Sequence, residues 1–487
     1  MILTLDLGTT SNRCLAISST GQCAASAQQE FKQYFPNPAW VEHDPTEIWT
    51  STLTVLKTVI DQIDIQNVSA IAITNQRETV VAWDKHTGKA LHNAIVWQCR
   101  RTAERMQDFS KSDQTLIKNK TGLPTDAYFS ASKMEWLYNN VDAVKEAALT
   151  HSLCFGTIDS WVLFQLTQKK CFTSDPSNAS RTLLYNIHSL DYDPDLLTLF
   201  NIQREWLPSI KESNACFGYS DPSITTKPIP IHAILGDQQA SLFAQCGNDT
   251  HTIKNTYGTG LFICASTGKK VIDSPSLVST IGWHINNKTT YAVEGSIFVG
   301  GAAIQWLRDG LELITDASES NDLAQSVKDT HDVYVVPALT GLGAPHWDSS
   351  ARGLIVGITR GTTKAHIVRA TLESLAYQTK DVIETITPFL PGIRCLKVDG
   401  GATNNDFLMQ FQADITGLTV NKAETSETTA YGVAGLAGIS CNIFTEKEFR
   451  HMLSTKTCYN PTFKKDKIDV LYTRWKKAVQ KSSQWIS

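Results

Sequence analysis

Apolar and polar positions fall into a strand pattern at the start of the chain. Residues 2–7 are almost wholly apolar, Gly8-Thr9-Thr10-Ser11-Asn12 is turn-forming, and residues 13–18 resume the strand. Thr20-Gly21 turns again before residues 23–31, so this segment predicts an antiparallel meander. A helix comes next. Asp44 is its candidate N-cap, Pro45 its first position, and Glu47 completes a capping-box pattern. Trp49, Leu53, Leu56, Ile60 and Ile63 recur at spacings of four and three, which marks one helix face. A buried strand over 68–74 leads into Asn75-Gln76-Arg77-Glu78.

The second half repeats this grammar. Residues 252–255 enter the turn Tyr257-Gly258-Thr259-Gly260, and 261–266 resume as a strand. Further strands fit 277–285 and 291–297. Helical spacing returns at Ile304, Leu307, Leu311 and Ile314, and again at Val368, Leu372, Leu375, Val382 and Ile386. A strand over 395–398 enters Asp399-Gly400-Gly401, and a helix through Phe407 and Phe411 stops near Gly417. The pattern predicts two related α/β domains, residues 1–245 and 246–487. The stretch 221–230, with three prolines, predicts an exposed loop.

Composition narrows the class. A chain of 487 residues is too long for one ordinary core. With 42% hydrophobic and 19% charged residues it is globular. The net charge of -4 and the lack of a basic run argue against nucleic acid as a partner. The 11 cysteines form no CxxC pair, which fits free thiols in a reducing compartment. The start, MILTLDLG, is not a signal peptide, and no apolar stretch is long enough to span a bilayer. A cytoplasmic protein with no membrane span is expected.

Three turns carry candidate phosphate chemistry. A tight turn between strands gathers backbone N–H groups into one concavity, and glycine lets a phosphate approach. Asp6-Leu7-Gly8-Thr9-Thr10 fits this, with the Asp6 carboxylate placed to hold water on Mg²⁺. Tyr257-Gly258-Thr259-Gly260 offers the same from the other half, and Asp399-Gly400-Gly401 would let a base and ribose lie against bare backbone. Any one of them is equally a plain hairpin turn. No Walker A loop and no protein-kinase loop set is present. Asp237, in Leu235-Gly236-Asp237-Gln238-Gln239, ends an apolar run and opens a helical pattern. That position suits an N-cap, and it also suits a general base for an alcohol. Arg77-Glu78 is either a surface ion pair or, if buried, a reader of adjacent hydroxyls. Trp97 with Arg100-Arg101 fits a core edge beside surface charge, and Tyr128 and Phe262 fit packing.

Together these residues resemble the FGGY family of carbohydrate kinases, in the branch that phosphorylates glycerol. The match runs from the first turn through Trp40-Val41-Glu42-His43-Asp44-Pro45, Thr74-Asn75-Gln76-Arg77-Glu78-Thr79, Val96-Trp97-Gln98-Cys99-Arg100-Arg101 and Gly236-Asp237-Gln238-Gln239. It continues through Asn255-Thr256-Tyr257-Gly258-Thr259-Gly260, Ile304-Gln305-Trp306-Leu307-Arg308-Asp309 and Gly341-Leu342-Gly343-Ala344-Pro345 to Val398-Asp399-Gly400-Gly401-Ala402. Residues 128–140, with Lys133 and Trp136, resemble the family's first signature.

The resemblance implies two ribonuclease H-like, actin-type ATPase domains flanking a central cleft. It implies ATP and Mg²⁺ in the cleft, and glycerol converted to sn-glycerol 3-phosphate in glycerol catabolism. Residue by residue, Asp237 matches the catalytic base. Arg77, Glu78, Tyr128, Asp237 and Gln238 match hydroxyl contacts, and Trp97 and Phe262 match the walls against the carbons. Thr9, Thr10, Ser11 and Arg13 match the first phosphate loop. Thr259, Gly301, Gln305, Gly401 and Asn405 match nucleotide contacts, and Asp6 matches the metal-side aspartate. A homodimer or homotetramer is implied as well. Position 7 is Leu where this branch usually shows Gln; related sugar kinases, which act on pentuloses or other polyols, often have an apolar residue there. The regulatory loops of some bacterial members, with a Tyr-His-Phe or a Gly/Arg motif, have no counterpart before Asp237. A switch ATPase of the same fold would need no small-alcohol pocket.

Overall fold

The computed structural model describes every residue except Ser426, Ser454 and Ser487. Two mixed sheets form its centre. In the first, β1 (Ile2–Leu7) pairs antiparallel with β2 (Ser11–Ile17), which pairs antiparallel with β3 (Cys23–Glu30). On its other side β1 pairs parallel with β4 (Ala70–Asn75), and β4 with β5 (Pro230–Gly236). The short strand Gly218–Tyr219 closes that edge. Every residue of β4 is buried, as a central strand covered on both faces must be.

The second sheet repeats the order. β6 (Thr252–Tyr257) pairs antiparallel with β7 (Leu261–Gly268). β8 (Val278–Ile285) and β9 (Lys288–Ile297) form a hairpin whose second strand joins β7. β10 (Cys395–Asp399) and β11 (Thr419–Ala423) add parallel on the far side of β6. In both sheets the first strand in sequence is central, flanked by a meander and a parallel pair. This is the ribonuclease H-like, actin-type arrangement, twice.

Helix α1 (Pro45–Ile60) starts where expected, with the Asp44 carboxylate accepting the Thr46 N–H at 2.7 Å. Glu47 does not complete a capping box. It accepts instead from the Tyr34 hydroxyl at 2.6 Å and the Lys32 N–H at 3.2 Å, tying the preceding loop to the helix. The buried face is Ile48, Thr52, Val55, Leu56 and Val59, one position round from the predicted face. Trp49, Ile60 and Ile63 sit half-buried at its rim. Asp44→Ala should lower stability by about 1 kcal/mol, read as a lower denaturant midpoint at unchanged activity.

α2 (Asp237–Gln245) comes directly after β5. The predicted helix through Ile304 and Ile314 is short. α3 (Gly301–Gln305) runs into a π turn over Trp306–Gly310 and ends, leaving Leu311 exposed. α4 (Lys364–Ile386) and α5 (Asp406–Thr416) appear as predicted, and α5 stops at Gly417, whose φ of 73° suits glycine. The stretch 221–230 is not a free loop. It holds a turn of helix, Pro222–Thr225, and buries Thr225 and Ile229.

The two sheets meet through helices. α6 (Thr428–Ser440), from the end of the chain, lays Ala430, Val433, Ala434 and Ala437 against Ile2, Ala70, Ala72 and Leu235 of the first sheet. It also packs on α2, where a β-carbon at Gly432 would overlap the Ala240 carbonyl. No helix among the described residues is long and apolar enough to cross a membrane.

Candidate active site

Strand register gathers the candidate residues. Leu7, Asn75 and Gly236 lie side by side at the carboxyl ends of β1, β4 and β5. The segments leaving these strands therefore share one edge: the Gly8–Ser11 turn, Arg77-Glu78 and Asp237. This is where open α/β sheets bind ligands. In the second sheet Thr256 pairs with Asp399, so the Gly258–Gly260 turn lies beside Gly400-Gly401.

Asp237 is not an N-cap. Gly236 occupies the cap position, and Asp237 is the first helical residue. One carboxylate oxygen accepts the Gln238 N–H at 2.7 Å and faces Arg77 Nε at 3.2 Å. The side chain is 30% exposed, enough to meet a ligand. Burial raises its pKa above the ordinary carboxylate range, and Arg77 offsets part of that rise. A β-carbon at Gly236 would stand 2.8 Å from Arg77 Cγ and Cδ. Gly236→Ala should therefore push the guanidinium off Asp237 and lower kcat/KM about tenfold, with a stability loss of about 1–3 kcal/mol from overpacking. Steady-state kinetics beside a thermal melt check both.

Arg77 and Glu78 are buried, not a surface pair. Arg77 Nη1 bonds Glu294 at 2.7 Å and Gln239 Oε1 at 3.2 Å. Glu78 accepts from Arg181 Nε at 2.5 Å and lies 3.8 Å from Arg77 Nε. Arg181 also reaches Glu294 at 3.1 Å. Two guanidiniums and three carboxylates thus form one network, with Lys254 nearby donating to Gln238 Oε1 at 2.5 Å. Although burial opposes ionisation of Glu294, Arg181 and Arg77 hold its carboxyl down at about 2. Burial keeps Glu78 above its ordinary range despite the same arginines. Glu78 has φ of 63°, with Thr79 N–H bonded to the Arg77 carbonyl at 2.7 Å. That tight γ-type turn carries backbone strain of about 1–3 kcal/mol, held by the buried ion pairs around it.

The aromatic wall crosses both halves. Trp97 lies edge-on to Tyr128 at 5.5 Å and to Phe262 at 6.3 Å between ring centroids. Its indole N–H donates to Thr9 Oγ1 at 3.0 Å, joining the wall to the first turn. Lys133, fully buried, donates to the Ala127, Tyr128 and Phe129 carbonyls and so fixes the Tyr128 backbone. Burial lowers its pKa to about 7, yet three acceptors call for all three ammonium protons. Arg101 is not surface charge. It is buried against Trp40 and Trp136 and bonded to Glu42 at 2.6 Å, whereas Arg100 is exposed beside Asp126.

The glycine turns interlock. Gly300 and Gly301 N–H groups bond the Thr259 and Gly258 carbonyls at 2.8 Å each. Gly400, at φ of 94°, backs onto Tyr257, while the space a Gly401 side chain would take is open. A ligand can therefore lie on bare backbone there. Thr259 and Gln305 are exposed. Asn405 is differently engaged: it caps α5 through the Leu408 N–H and donates to Ser320. In the first turn Ser11 accepts from Gln28, and Arg13 pairs with Glu427 across the halves as well as with Gln28. Asp6 sits beside Arg13 and Thr74 in register, and burial pushes its pKa up to about 6, with Asp237 adding to the rise. Leu7 is fully buried in the first core with Leu3 and Leu5, so its side chain faces away from the site.

Arg181, Glu294, Gln239 and Lys254 are functional neighbours that the sequence does not announce. For Glu294 and Lys254 one signal exists: a charged residue in the middle of a strand. Gln239 is signalled only as the last residue of the Gly236-Asp237-Gln238-Gln239 motif, and Arg181 carries no signal.

Two family models match the chain: the FGGY family of carbohydrate kinases, N-terminal domain, over residues 1–244, and its C-terminal domain, over residues 253–441. The chain is 49% identical to the glycerol kinase of Pseudothermotoga lettingae, over 100% of this chain and 99% of that protein. It is 47% identical to the glycerol kinase of Thermococcus onnurineus, over 99% and 98%. Among solved structures, Plasmodium falciparum glycerol kinase with ADP superposes with a TM-score of 0.92 at 35% identity, covering 99% of this chain and 98% of that one. With its family models, its relatives and its doubled sheet in agreement, the chain belongs to the FGGY family of carbohydrate kinases.

Proposed function

We propose that this chain transfers the γ-phosphoryl group of ATP to glycerol, giving ADP and sn-glycerol 3-phosphate. The observation that carries this reading is the pairing of buried Arg77 with half-exposed Asp237 beside Glu78, set at a strand edge with glycine turns. Relatives at 47–49% identity bear the same activity in their names.

Glycerol lies with its carbon edge on Trp97 and Phe262. Its hydroxyls meet Arg77, Glu78, Tyr128 and Gln238. The terminal hydroxyl gives its proton to Asp237 while its oxygen attacks the γ-phosphorus in line, and the bond to the β-phosphate oxygen breaks. Arg77 holds the Asp237 carboxylate still, and burial makes it a stronger base than a free aspartate. Thr9, Thr10, Ser11 and Arg13 take the phosphates from one side. Thr259, Gly301, Gln305, Gly401 and Asn405 take the nucleotide from the other, Asn405 through the end of α5 that it caps.

Asp6 and Asp237 fit a magnesium site: burial raises the Asp6 carboxyl, the charge of Asp237 adds to that rise, and a cation beside both would offset it. Among the described residues no group of three or more His, Cys, Asp or Glu side chains could hold a metal. A Mg²⁺ that keeps waters and phosphate oxygens needs no such cage. When bound, it neutralises phosphate charge. A division near Gln245 is supported by the second sheet starting at Thr252. A cytoplasmic setting is supported by the free cysteines. Assembly as two or four copies rests on the family resemblance.

A coupled ADP-release assay across glycerol, dihydroxyacetone, erythritol and xylulose tests the substrate. Glycerol is expected to give the highest kcat/KM by at least tenfold. A higher value with xylulose would overturn the choice of substrate.

A further inference from the structure

Glu294 makes none of the substrate or nucleotide contacts, and its surroundings are unusually complete. It is 1% exposed. Oε2 accepts from Arg77 Nη1 at 2.7 Å and lies 3.8 Å from Cys264 Sγ. Oε1 accepts from Arg181 Nη2 at 3.1 Å and Ser296 Oγ at 3.2 Å. No lone pair is left for a ligand, so Glu294 can act only through its partners. Those partners are the two arginines of the first half that hold Asp237 and Glu78.

Glu294 itself belongs to the second half. Its strand, β9, runs through Ile297 straight to Gly300 and Gly301, whose N–H groups bond the Thr259 and Gly258 carbonyls. β9 also pairs with β7, which carries Phe262 opposite Ser296 and begins just after the Thr259 turn. One carboxylate therefore ties the groups that face the alcohol to the two strands that carry the nucleotide turns. A carboxylate shared by two buried guanidiniums has little freedom, because losing either pair strands a charge.

We propose that Glu294 is a positioning residue that couples the glycerol pocket to the nucleotide turns, so that occupation of one site tightens the other. This rests on the reading of the pocket as a glycerol site. Glycerol draws Arg77 and Glu78 into fixed positions. Glu294 moves with Arg77 and Arg181, and β9 carries the change to Gly300-Gly301. Coupling of this kind is reciprocal and typically amounts to about 5- to 150-fold in affinity.

The test is a titration of the full-length protein with a non-hydrolysable ATP analogue and Mg²⁺, with and without saturating glycerol. In the unmodified protein glycerol should lower the analogue's Kd about fivefold or more. Glu294→Gln keeps size and loses charge. It should bring that ratio close to one while the analogue's Kd without glycerol stays within about threefold. Glu294→Asp keeps the charge but is too short to hold both arginines, and should give an intermediate ratio; it also serves if the glutamine variant does not fold. A merely structural residue would lower the melting temperature and leave the ratio unchanged. An unchanged ratio in both variants, or no effect of glycerol in the unmodified protein, overturns the proposal. Glycerol binding is measured separately by calorimetry. Its absence in the unmodified protein would instead overturn the reading of the pocket.

Discussion

Asp237→Asn should lower kcat about 100-fold or more while leaving the KM for glycerol within a few-fold. The asparagine amide keeps the volume and an oxygen for the Gln238 N–H, but cannot take the proton of the attacking hydroxyl. Loss of a positioned base typically costs 10²–10⁴ in rate, about 3–5 kcal/mol of barrier. Stability should hold or rise slightly, because burial already disfavours the Asp237 charge. A melt of the variant beside its kinetics separates lost chemistry from lost fold. Near-normal turnover would remove Asp237 from the role of base.

The second large effect is on the fold. Arg181→Met should destabilise the protein by about 3–5 kcal/mol, because it strands Glu78 and Glu294 in the interior with only Arg77 to share. Glu294 sets the sign of its pH dependence. In the unmodified protein that carboxyl is held at about 2, below its ordinary value of 4.5. Its contribution to stability is therefore present above pH ~4.5 and lost as pH falls towards 2. Without Arg181 the same carboxyl moves up, and protonating it relieves the buried charge. The penalty of Arg181→Met should thus be larger at pH 8 than at pH 5, measured by denaturant midpoints of both proteins at each pH. A penalty that does not change with pH would mean the network is held by packing and not by charge.

The doubled sheet is legible in the sequence because β1, β2 and β7 announce themselves by apolar runs beside glycine and threonine turns, and β6 by the Tyr257-Gly258-Thr259-Gly260 turn that follows it. Asp44, Pro45 and Gly417 mark helix ends for local reasons, and local reasons survive folding. The buried face of α1 lies one position from the one its spacing predicts. Trp49 and Leu53 share the right spacing but sit at the rim, and Thr52 is buried instead. Tertiary packing chose among faces that differ little in apolar content. The run at Ile304 to Ile314 fails as a single helix for a similar reason: the π turn at Trp306–Gly310 breaks a spacing that looks continuous.

For the site, residues just past strand ends are visible, and register brings them together. Arg77, Glu78 and Asp237 are distant in sequence but adjacent because Asn75 and Gly236 are paired. The partners that set their charges are hidden. Arg181 lies in a short buried segment with no periodic pattern, and nothing local says that it reaches Glu78 and Glu294. Leu7 illustrates the reverse. As a departure from the family pattern it points to the substrate, yet its side chain is in the core.

The cleft is expected to deliver phosphate to glycerol and to shield it from water. The most direct test tracks the γ-phosphate of ATP by ³¹P NMR in the purified protein with Mg²⁺, with and without glycerol. Nearly all of it should appear as sn-glycerol 3-phosphate, one for each ADP, and little inorganic phosphate should form without glycerol. Release of inorganic phosphate at the same rate whether or not glycerol is present would contradict that expectation.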